Sequence, residues 1–184
     1  MEVVARTFKQ LWRTSNGFRV CNQGNNIVLF VFDNLMEVDK ILKSQPWSFD
    51  KHLIIMQWYT SDVPVKELVF EKVAFWVQVH DIPNSFMTRK VAESLCEVIG
   101  EVQWTNGVVD KDGGNFFRVR VVVDISLPLC RGRIITLPNG NKNWVKFKYE
   151  RLPSLCYWCG HLDHDDRDRD LWIQSNGTLT SEHQ

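Results

Sequence analysis

Two cysteines and one histidine near the C-terminal end have the spacing of ligands for a single metal ion. Cys156 and Cys159 form a C-x2-C pair, and His164 follows after four intervening residues. Two thiolates separated by two residues can bind one tetrahedral ion from a tight turn, and Gly160 allows the backbone to make that turn. The spacing therefore predicts that Cys156, Cys159 and His164 are zinc ligands.

The ligand set is incomplete in this sequence. In the pattern C-x2-C-x4-H-x4-C the fourth ligand falls at position 169, and the chain has Arg169 there. The imidazole of His161 or one of the carboxylates from Asp163 to Asp170 could supply the fourth ligand, although thiolate is the better donor to zinc. Because metal binding supplies most of the folding free energy of so short a motif, we expect zinc binding to be weak or lost. The alternative is a decayed, disordered tail.

A longer segment around these ligands resembles a known family. Residues Tyr149–His161, YERLPSLCYWCGH, are similar to a plant family related to LINE-type retrotransposon proteins, in which a domain of unknown function precedes a CCHC zinc knuckle. Leu42–Trp47 and Phe75–Pro83 also match the usual sequence of that family. The resemblance extends from about residue 5 to about residue 172. It implies binding of zinc and nucleic acid, without a catalytic step.

The resemblance also implies roles for residues within the knuckle. Tyr157 and Trp158 suit the usual task of such a motif, in which aromatic rings stack on unpaired bases. Two residues depart from the family pattern, since Arg169 replaces the last cysteine and Asp163 replaces the glycine that usually precedes the histidine. The sequence therefore predicts a degenerate knuckle over residues 155–172, followed by a disordered tail over 173–184.

Composition favours an intracellular protein. The chain has five cysteines, an odd number, and only Cys156 and Cys159 form a close pair, which is typical of a reducing compartment. The sequence has no run of eighteen apolar residues, so no membrane span is predicted. The N-terminus lacks the basic and then apolar segments of a signal peptide. We therefore expect a protein of the nucleus or cytoplasm that does not enter a membrane.

The charge of the chain is zero overall but is distributed unevenly. Residues 113–154 carry eight basic and two acidic residues, a net charge of +6, and residues 155–184 carry two basic and six acidic residues, a net charge of −4. The basic segment directly precedes the predicted knuckle. A local excess of positive charge is typical of a surface that contacts phosphates.

Hydrophobic periodicity predicts an α+β fold with two similar units. Residues 1–65 show the order α-β-β-α-β, which is a ferredoxin-like or RNA-recognition-motif fold that lacks its first strand. Residues 66–154 show the order β-α-β-β-β-β, again close to an RNA-recognition fold, with hairpins expected at 101–125 and 133–149. Gly100 is expected to end the helix of this second unit. The two units could equally pack as one body.

Alternation along the strands of the second unit predicts a binding platform. If Phe75, Val77, Phe117 and Val119 face the core, the residues between them face outward. In RNA-recognition folds the outward face of the central strands is the surface on which bases stack. The outward set combines aromatic rings for bases with cations for phosphates: Trp76, Phe116, Arg118, Arg120, Lys146 and Lys148. The alternatives are that this face packs against the first unit or is simply solvated.

The residues therefore favour a non-enzymatic module that binds RNA or single-stranded DNA. No Ser/His/Asp or Cys/His set is arranged for nucleophilic catalysis, and a zinc hydrolase would need an acid or base beside the metal that the sequence does not show. The alternative is a structural or protein-interaction remnant that keeps the fold but has lost zinc and nucleic acid. The oligomeric state does not follow from the sequence.

Overall fold

A computed structural model describes residues 2–60, 62–103, 115–153, 155–156 and 159–162. Within these ranges the fold is mixed α+β, with three helices and three antiparallel sheets. The helices and strands, in chain order, are α1 (Glu2–Trp12), β1 (Arg19–Gly24), β2 (Ile27–Val31), α2 (Leu35–Lys43), β3 (Trp47–Phe49), β4 (His52–Ile54), β5 (Lys72–His80), α3 (Arg89–Cys96), β6 (Gly100–Val102), β7 (Phe116–Asp124), β8 (Gly132–Thr136) and β9 (Lys142–Tyr149).

The N-terminal unit has its own aromatic core. Phe8 and Trp12 of α1 lie one turn apart on the buried face of the helix, and they pack with Ile41 of α2. The ring centroids of Phe8 and Trp12 are 4.6 Å apart, and Trp12 also contacts Phe30 at 5.0 Å. The predicted order α-β-β-α-β is confirmed, with an additional strand, β4, after the last predicted one.

The strands of this unit do not join into one sheet in the described residues. Strand β1 pairs only with β2, and β3 pairs only with β4. The ferredoxin-like assignment is therefore not confirmed for residues 1–65, since that fold has a single continuous sheet. The β3–β4 hairpin is tight because Asp50 and Lys51 both adopt positive φ, 48° and 65°, as a two-residue hairpin turn requires.

Helix α2 is capped by a side chain and tied to the loop before it. The side chain of Asn34 accepts a hydrogen bond from the Met36 backbone N–H at 2.9 Å, so the amide is the N-cap. The carboxylate of Glu37, the third residue of the helix, accepts a hydrogen bond from the Ser15 backbone N–H at 2.7 Å, which ties the loop after α1 to the first turn of α2.

The C-terminal unit is one five-stranded antiparallel sheet, with the order β6-β7-β5-β9-β8. The long central pair is β5 and β7, which run in register from Lys72 opposite Asp124 to His80 opposite Phe116. The predicted hairpin at 133–149 forms. For the one predicted at 101–125, β6 pairs antiparallel with β7, and residues 104–114 lie outside the described ranges. Compared with an RNA-recognition fold, the sheet has one more edge strand, β8, and no helix lies between β7 and β8. The assignment to the RNA-recognition fold is therefore not confirmed.

The sequence predicted that Gly100 ends α3, and this is wrong, because Gly100 is the first residue of strand β6. Helix α3 ends at Cys96, four residues earlier. A Cβ atom added at Gly100 would lie 2.1 Å from the backbone oxygen of Val122, so glycine is needed because two strands approach closely. A glycine after a helix can either end that helix or allow two strands to approach closely, and Gly100 does the latter.

The inner face of the five-stranded sheet carries the main core, as the alternation predicts. The side chains of β5 and β7 point alternately to the two faces of the sheet, and the inward residues are at most 5% exposed. They pack with Ala92 and Cys96 of α3 and with Val145 and Phe147 of β9. The inward residues of the two central strands are Val73, Phe75, Val77, Val79, Phe117, Val119, Val121 and Val123.

Candidate nucleic-acid interface and zinc-knuckle turn

The opposite side of the five-stranded sheet, called here the outer face, holds all six residues predicted as a platform. Strand register brings them together, because Trp76 is opposite Arg120, Gln78 lies between Arg118 and Lys148, and His80 lies between Phe116 and Lys146. Directly opposite residues of paired strands point to the same side of a sheet. The structure therefore confirms that the outward set shares one face: Trp76, Phe116, Arg118, Arg120, Lys146 and Lys148.

One end of the outer face, called here the covered end, is occupied by the protein itself. The guanidinium of Arg118 lies 4.7 Å from the ring centroid of Trp76 and forms two hydrogen bonds of 2.8 Å with the carboxylate of Glu150. Gln78 donates a further hydrogen bond to Glu150. These hydrogen bonds, that from Arg118 above all, lower the pKa of Glu150. The cations and the ring that were expected to meet a ligand contact each other here.

Arg120 is buried at this end, with an exposure of 5%. Its guanidinium donates hydrogen bonds to the backbone oxygens of Gln45 and of Lys43, the last residue of α2. Arg151 donates to the oxygen of Ser44 between them. Two arginines therefore bind the negative end of the α2 dipole. The expectation that Arg120 faces solvent is wrong, because the N-terminal unit covers it.

Burial also affects the charge of this arginine. Desolvation lowers the pKa of Arg120, and the neighbouring cations Arg151 and Arg118 lower it further. An arginine keeps its proton even so, since its ordinary pKa is far above neutral. Arg120 is thus a buried cation whose partners are backbone carbonyls at the end of a helix, and its contribution is to hold the two units together.

The other end of the outer face, called here the open end, remains accessible. The rings of His80 and Phe116 stack with centroids 4.9 Å apart, and Lys146 and Lys148 on the neighbouring strand are exposed. Partial burial lowers the pKa of His80, and the charges of Lys148 and Lys146 add to the effect. The carboxylate of Asp81 opposes this effect and raises the pKa of His80.

Sequence reasoning missed one aromatic residue of the open end. Trp144 precedes Lys146 by two positions on β9, so it shares the same face, and it is 49% exposed. Its indole lies across Gly132 of β8, where an added Cβ atom would be 2.6 Å from the ring. Ile134, directly opposite Trp144, is 58% exposed. The alternation Trp144-Lys146-Lys148 was a signal that could have identified this tryptophan.

The described part of the C-x2-C segment forms a compact turn. The Gly160 backbone N–H donates to the oxygen of Cys156 at 2.8 Å, and the Cys156 N–H donates to the oxygen of His161 at 3.0 Å. Gly160 has a φ of 80°, as the spacing predicts. The Gly160 oxygen accepts a hydrogen bond from the Leu129 N–H at 2.8 Å, so the turn is attached to the segment between β7 and β8.

The backbone and the thiols of this turn fit one half of a zinc site. Two hydrogen bonds across a C-x2-C turn hold both cysteines in the same local structure, and thiolate is the ligand that zinc prefers. Among the described residues no group of three or more histidine, cysteine or acidic side chains could hold a metal. Cys156 and Cys159 therefore need further ligands to complete a zinc site. The predicted ones, His164 and the aspartates after it, lie outside the described residues. The same is true of Tyr157, Trp158, Arg169 and the predicted tail.

Another cysteine lies in the core rather than in this turn. Cys96 is fully buried under the sheet, and burial raises the pKa of its thiol to about 12, with a further contribution from Glu93. The thiol is therefore protonated at neutral pH and behaves as a small apolar side chain. Burial also raises the pKa of Tyr149, whose hydroxyl donates to the oxygen of Cys130 at 2.7 Å.

Two family profiles match different parts of the chain. Residues 1–67 are similar to a domain of unknown function, DUF4283, and residues 123–170 are similar to a zinc knuckle of the CCHC type. The second match begins at the end of β7, so it includes β8, β9 and the C-x2-C turn. No curated protein and no solved structure matches the sequence. The predicted order, a domain of unknown function followed by a zinc knuckle, is confirmed.

Within the part of the chain that the structure describes, no helix combines the length and the apolar character needed to cross a bilayer. The longest described helix, α1, has eleven residues, about half of what a membrane-spanning helix needs.

Proposed function

We propose that the chain is a non-catalytic module that binds RNA or single-stranded DNA, in the nucleus or cytoplasm. The observation that carries this proposal is the composition of the β8–β9 hairpin inside the segment similar to a zinc knuckle. Residues 125–149 contain five basic residues and no aspartate or glutamate. All five cations are exposed, namely Arg131, Arg133, Lys142, Lys146 and Lys148.

The electrostatic arrangement supports a polyanion as the ligand. Five exposed cations without a carboxylate in the same segment create a positive potential that attracts phosphates and releases their counterions. The carboxylate nearest to them along the chain, Glu150, is already bonded to Arg118 and Gln78. Within the described residues, neither Lys146 nor Lys148 belongs to a salt bridge, so both exposed ammonium groups can meet a phosphate without breaking one there.

Zinc is the proposed cofactor, held by Cys156, Cys159 and His164, although weakly or no longer at all. The ion would crosslink the C-x2-C turn to the residues that follow it. The order of the two matched segments also supports an origin in a retrotransposon of the plant type that the sequence resembles.

A direct binding measurement tests the proposed function. A fluorescein-labelled uridine 12-mer and a thymidine 12-mer are titrated with the full chain at low salt, with and without added zinc, and anisotropy is recorded. We expect saturable binding that weakens as salt is raised, because phosphate contacts release counterions. Absence of binding to both oligomers would favour the alternative, a remnant that has lost nucleic-acid binding.

The fourth ligand position gives a separate prediction on the metal. Because Arg169 cannot donate to zinc, we expect the chain to bind zinc about 100-fold or more weakly than its Arg169→Cys variant. A competition titration with a chromogenic chelator measures both affinities, and Cys21→Ser serves as the control for loss of an unrelated exposed thiol. Equal affinities of the chain and of Arg169→Cys would show that another residue already completes the site.

A further inference from the structure

The open end of the outer face contains an aromatic ring supported on one side and accessible to a ligand. Trp144 lies across Gly132, which has no side chain, so the indole rests on the backbone of β8. The residue nevertheless stays 49% exposed. A large ring fixed against a strand and open to solvent can receive a flat ligand without rearrangement, which lowers the entropic cost of binding.

The surroundings of the ring indicate which flat ligand fits. Lys146 and Lys148 follow Trp144 on the same face of β9, and successive outward residues of a strand lie about 6–7 Å apart. Successive phosphates of an extended single strand have a similar spacing. A ring beside a row of cations is the combination found on surfaces that bind single strands through base stacking and phosphate contacts.

We propose that Trp144 is a base-stacking residue, and that a single-stranded nucleic acid runs along β9 with its phosphates at Lys146 and Lys148. This inference rests on the proposed function and adds its site. It differs from the platform expected around Trp76, whose ring is already in contact with Arg118 and Arg120. It also differs from stacking by the aromatics of the knuckle.

A ring across a strand glycine also has a purely structural use, since it covers the exposed backbone of the neighbouring strand. The two roles separate when the ligand is varied instead of the protein. A thymidine 12-mer and an abasic 12-mer carry the same phosphates, but only the first can stack. The ratio of their affinities therefore reports base stacking, whereas changes in fold alter both affinities together.

The experiment measures this ratio for the full chain and for three variants. We expect the chain to prefer the thymidine oligomer, Trp144→Ala to reduce the ratio about 5- to 150-fold, and Trp144→Phe to retain most of it. Trp58→Ala is the matched control, because Trp58 is 48% exposed but belongs to the N-terminal unit, and it should leave the ratio unchanged. Thermal melting of each variant shows whether the fold is kept.

Each other outcome contradicts a defined part of the proposal. If the chain binds both oligomers equally, nucleic-acid binding stands but stacking on Trp144 does not. If the preference exists and Trp144→Ala matches Trp58→Ala, the bases are bound elsewhere, and Tyr157 and Trp158 become the residues to substitute. If the chain binds neither oligomer, the proposed function fails together with the inference.

Discussion

The two ends of the outer face have similar residue types, but at one end these side chains are bonded to the rest of the protein and at the other they are exposed. The covered end has Trp76 with Arg118 and Arg120, and the open end has Trp144 with Lys146 and Lys148. At the covered end each cation has a partner within the protein, either the carboxylate of Glu150 or the carbonyls at the end of α2. At the open end the lysines are exposed and the ring lies on a glycine.

The comparison shows that residue types on a strand do not define a binding surface by themselves. Tryptophan beside arginine in a strand predicts a surface on which bases stack. When a second unit covers that surface, the same two residues form an internal cation–π contact. Arginine suits the covered role because its planar group binds carboxylates and carbonyls through several donors. The accessible end has lysine, whose compact ammonium group is strongly hydrated.

The largest expected effect concerns the core that both ends share. Phe117 lies on the inner face of β7 and is 5% exposed, so Phe117→Ala should lower the free energy of unfolding by about 3–5 kcal/mol. Its neighbour Phe116 is only partly buried on the outer face, and Phe116→Ala should cost about 1 kcal/mol. Denaturant unfolding of both variants checks this. Equal losses would show that the assignment of the two faces is wrong.

The next effect separates the covered end from the open end. Arg120→Ala removes a buried cation and leaves the carbonyls of Lys43 and Gln45 without their donors, so we expect a loss of about 2–3 kcal/mol in the free energy of unfolding. Arg133→Ala, at an exposed position of β8, should change it by less than about 0.5 kcal/mol. Equilibrium unfolding in urea measures both. A small effect of Arg120→Ala would mean that the N-terminal unit does not need this contact.

A smaller effect is expected from the ion pair of the covered end, and it depends on pH. Hydrogen bonds from Arg118 lower the pKa of Glu150 below its ordinary value of 4.5. The stability that the charged carboxylate contributes is therefore fully present above about pH 4.5 and is lost as the pH falls through the lowered pKa of the folded state. Because the pair is partly exposed, we expect Glu150→Gln to cost only about 1 kcal/mol at pH 7.

Melting temperatures of the chain and of Glu150→Gln between pH 3 and pH 7 check this prediction. The difference between them should be constant near neutral pH and should shrink below about pH 4.5. Glu101→Gln, an exposed position on edge strand β6, is the matched control. A difference that does not change with pH would show that Glu150 acts through packing and not through its charge.

Much of the fold followed from the sequence because alternation and turn residues are local signals. The inward residues of β5 and β7 and the helices α1 and α2 could be predicted from neighbouring positions alone. Gly100 was misread because a glycine can end a helix or allow two strands to approach, and only the position of Val122 distinguishes these uses.

The candidate site was harder to predict, for a physical reason. Alternation states which side of a sheet a residue is on, but it does not state what covers that side. Arg120 and its partners in the N-terminal unit are at least 75 positions apart, and no local pattern encodes that contact. The alternation that identified Lys146 and Lys148 could also have identified Trp144. Its contact with Gly132, however, depends on the register of β8 and β9, which the sequence does not show.

The dependence of binding on salt tests the central claim, that the open end and not the covered end binds nucleic acid. The affinity for a thymidine 12-mer is measured at several salt concentrations for the chain, for Lys146→Ala/Lys148→Ala, for Arg118→Ala and for the control Lys9→Ala/Lys40→Ala, which removes the same charge from the N-terminal unit. Each phosphate contact to a single strand contributes about 0.7 to the slope of log affinity against log salt. We expect the slope of the first double variant to fall by about 1.4, with the control unchanged and Arg118→Ala close to the parent chain. A slope that falls for Arg118→Ala and stays the same for Lys146→Ala/Lys148→Ala would contradict this account and return the binding surface to the end around Trp76.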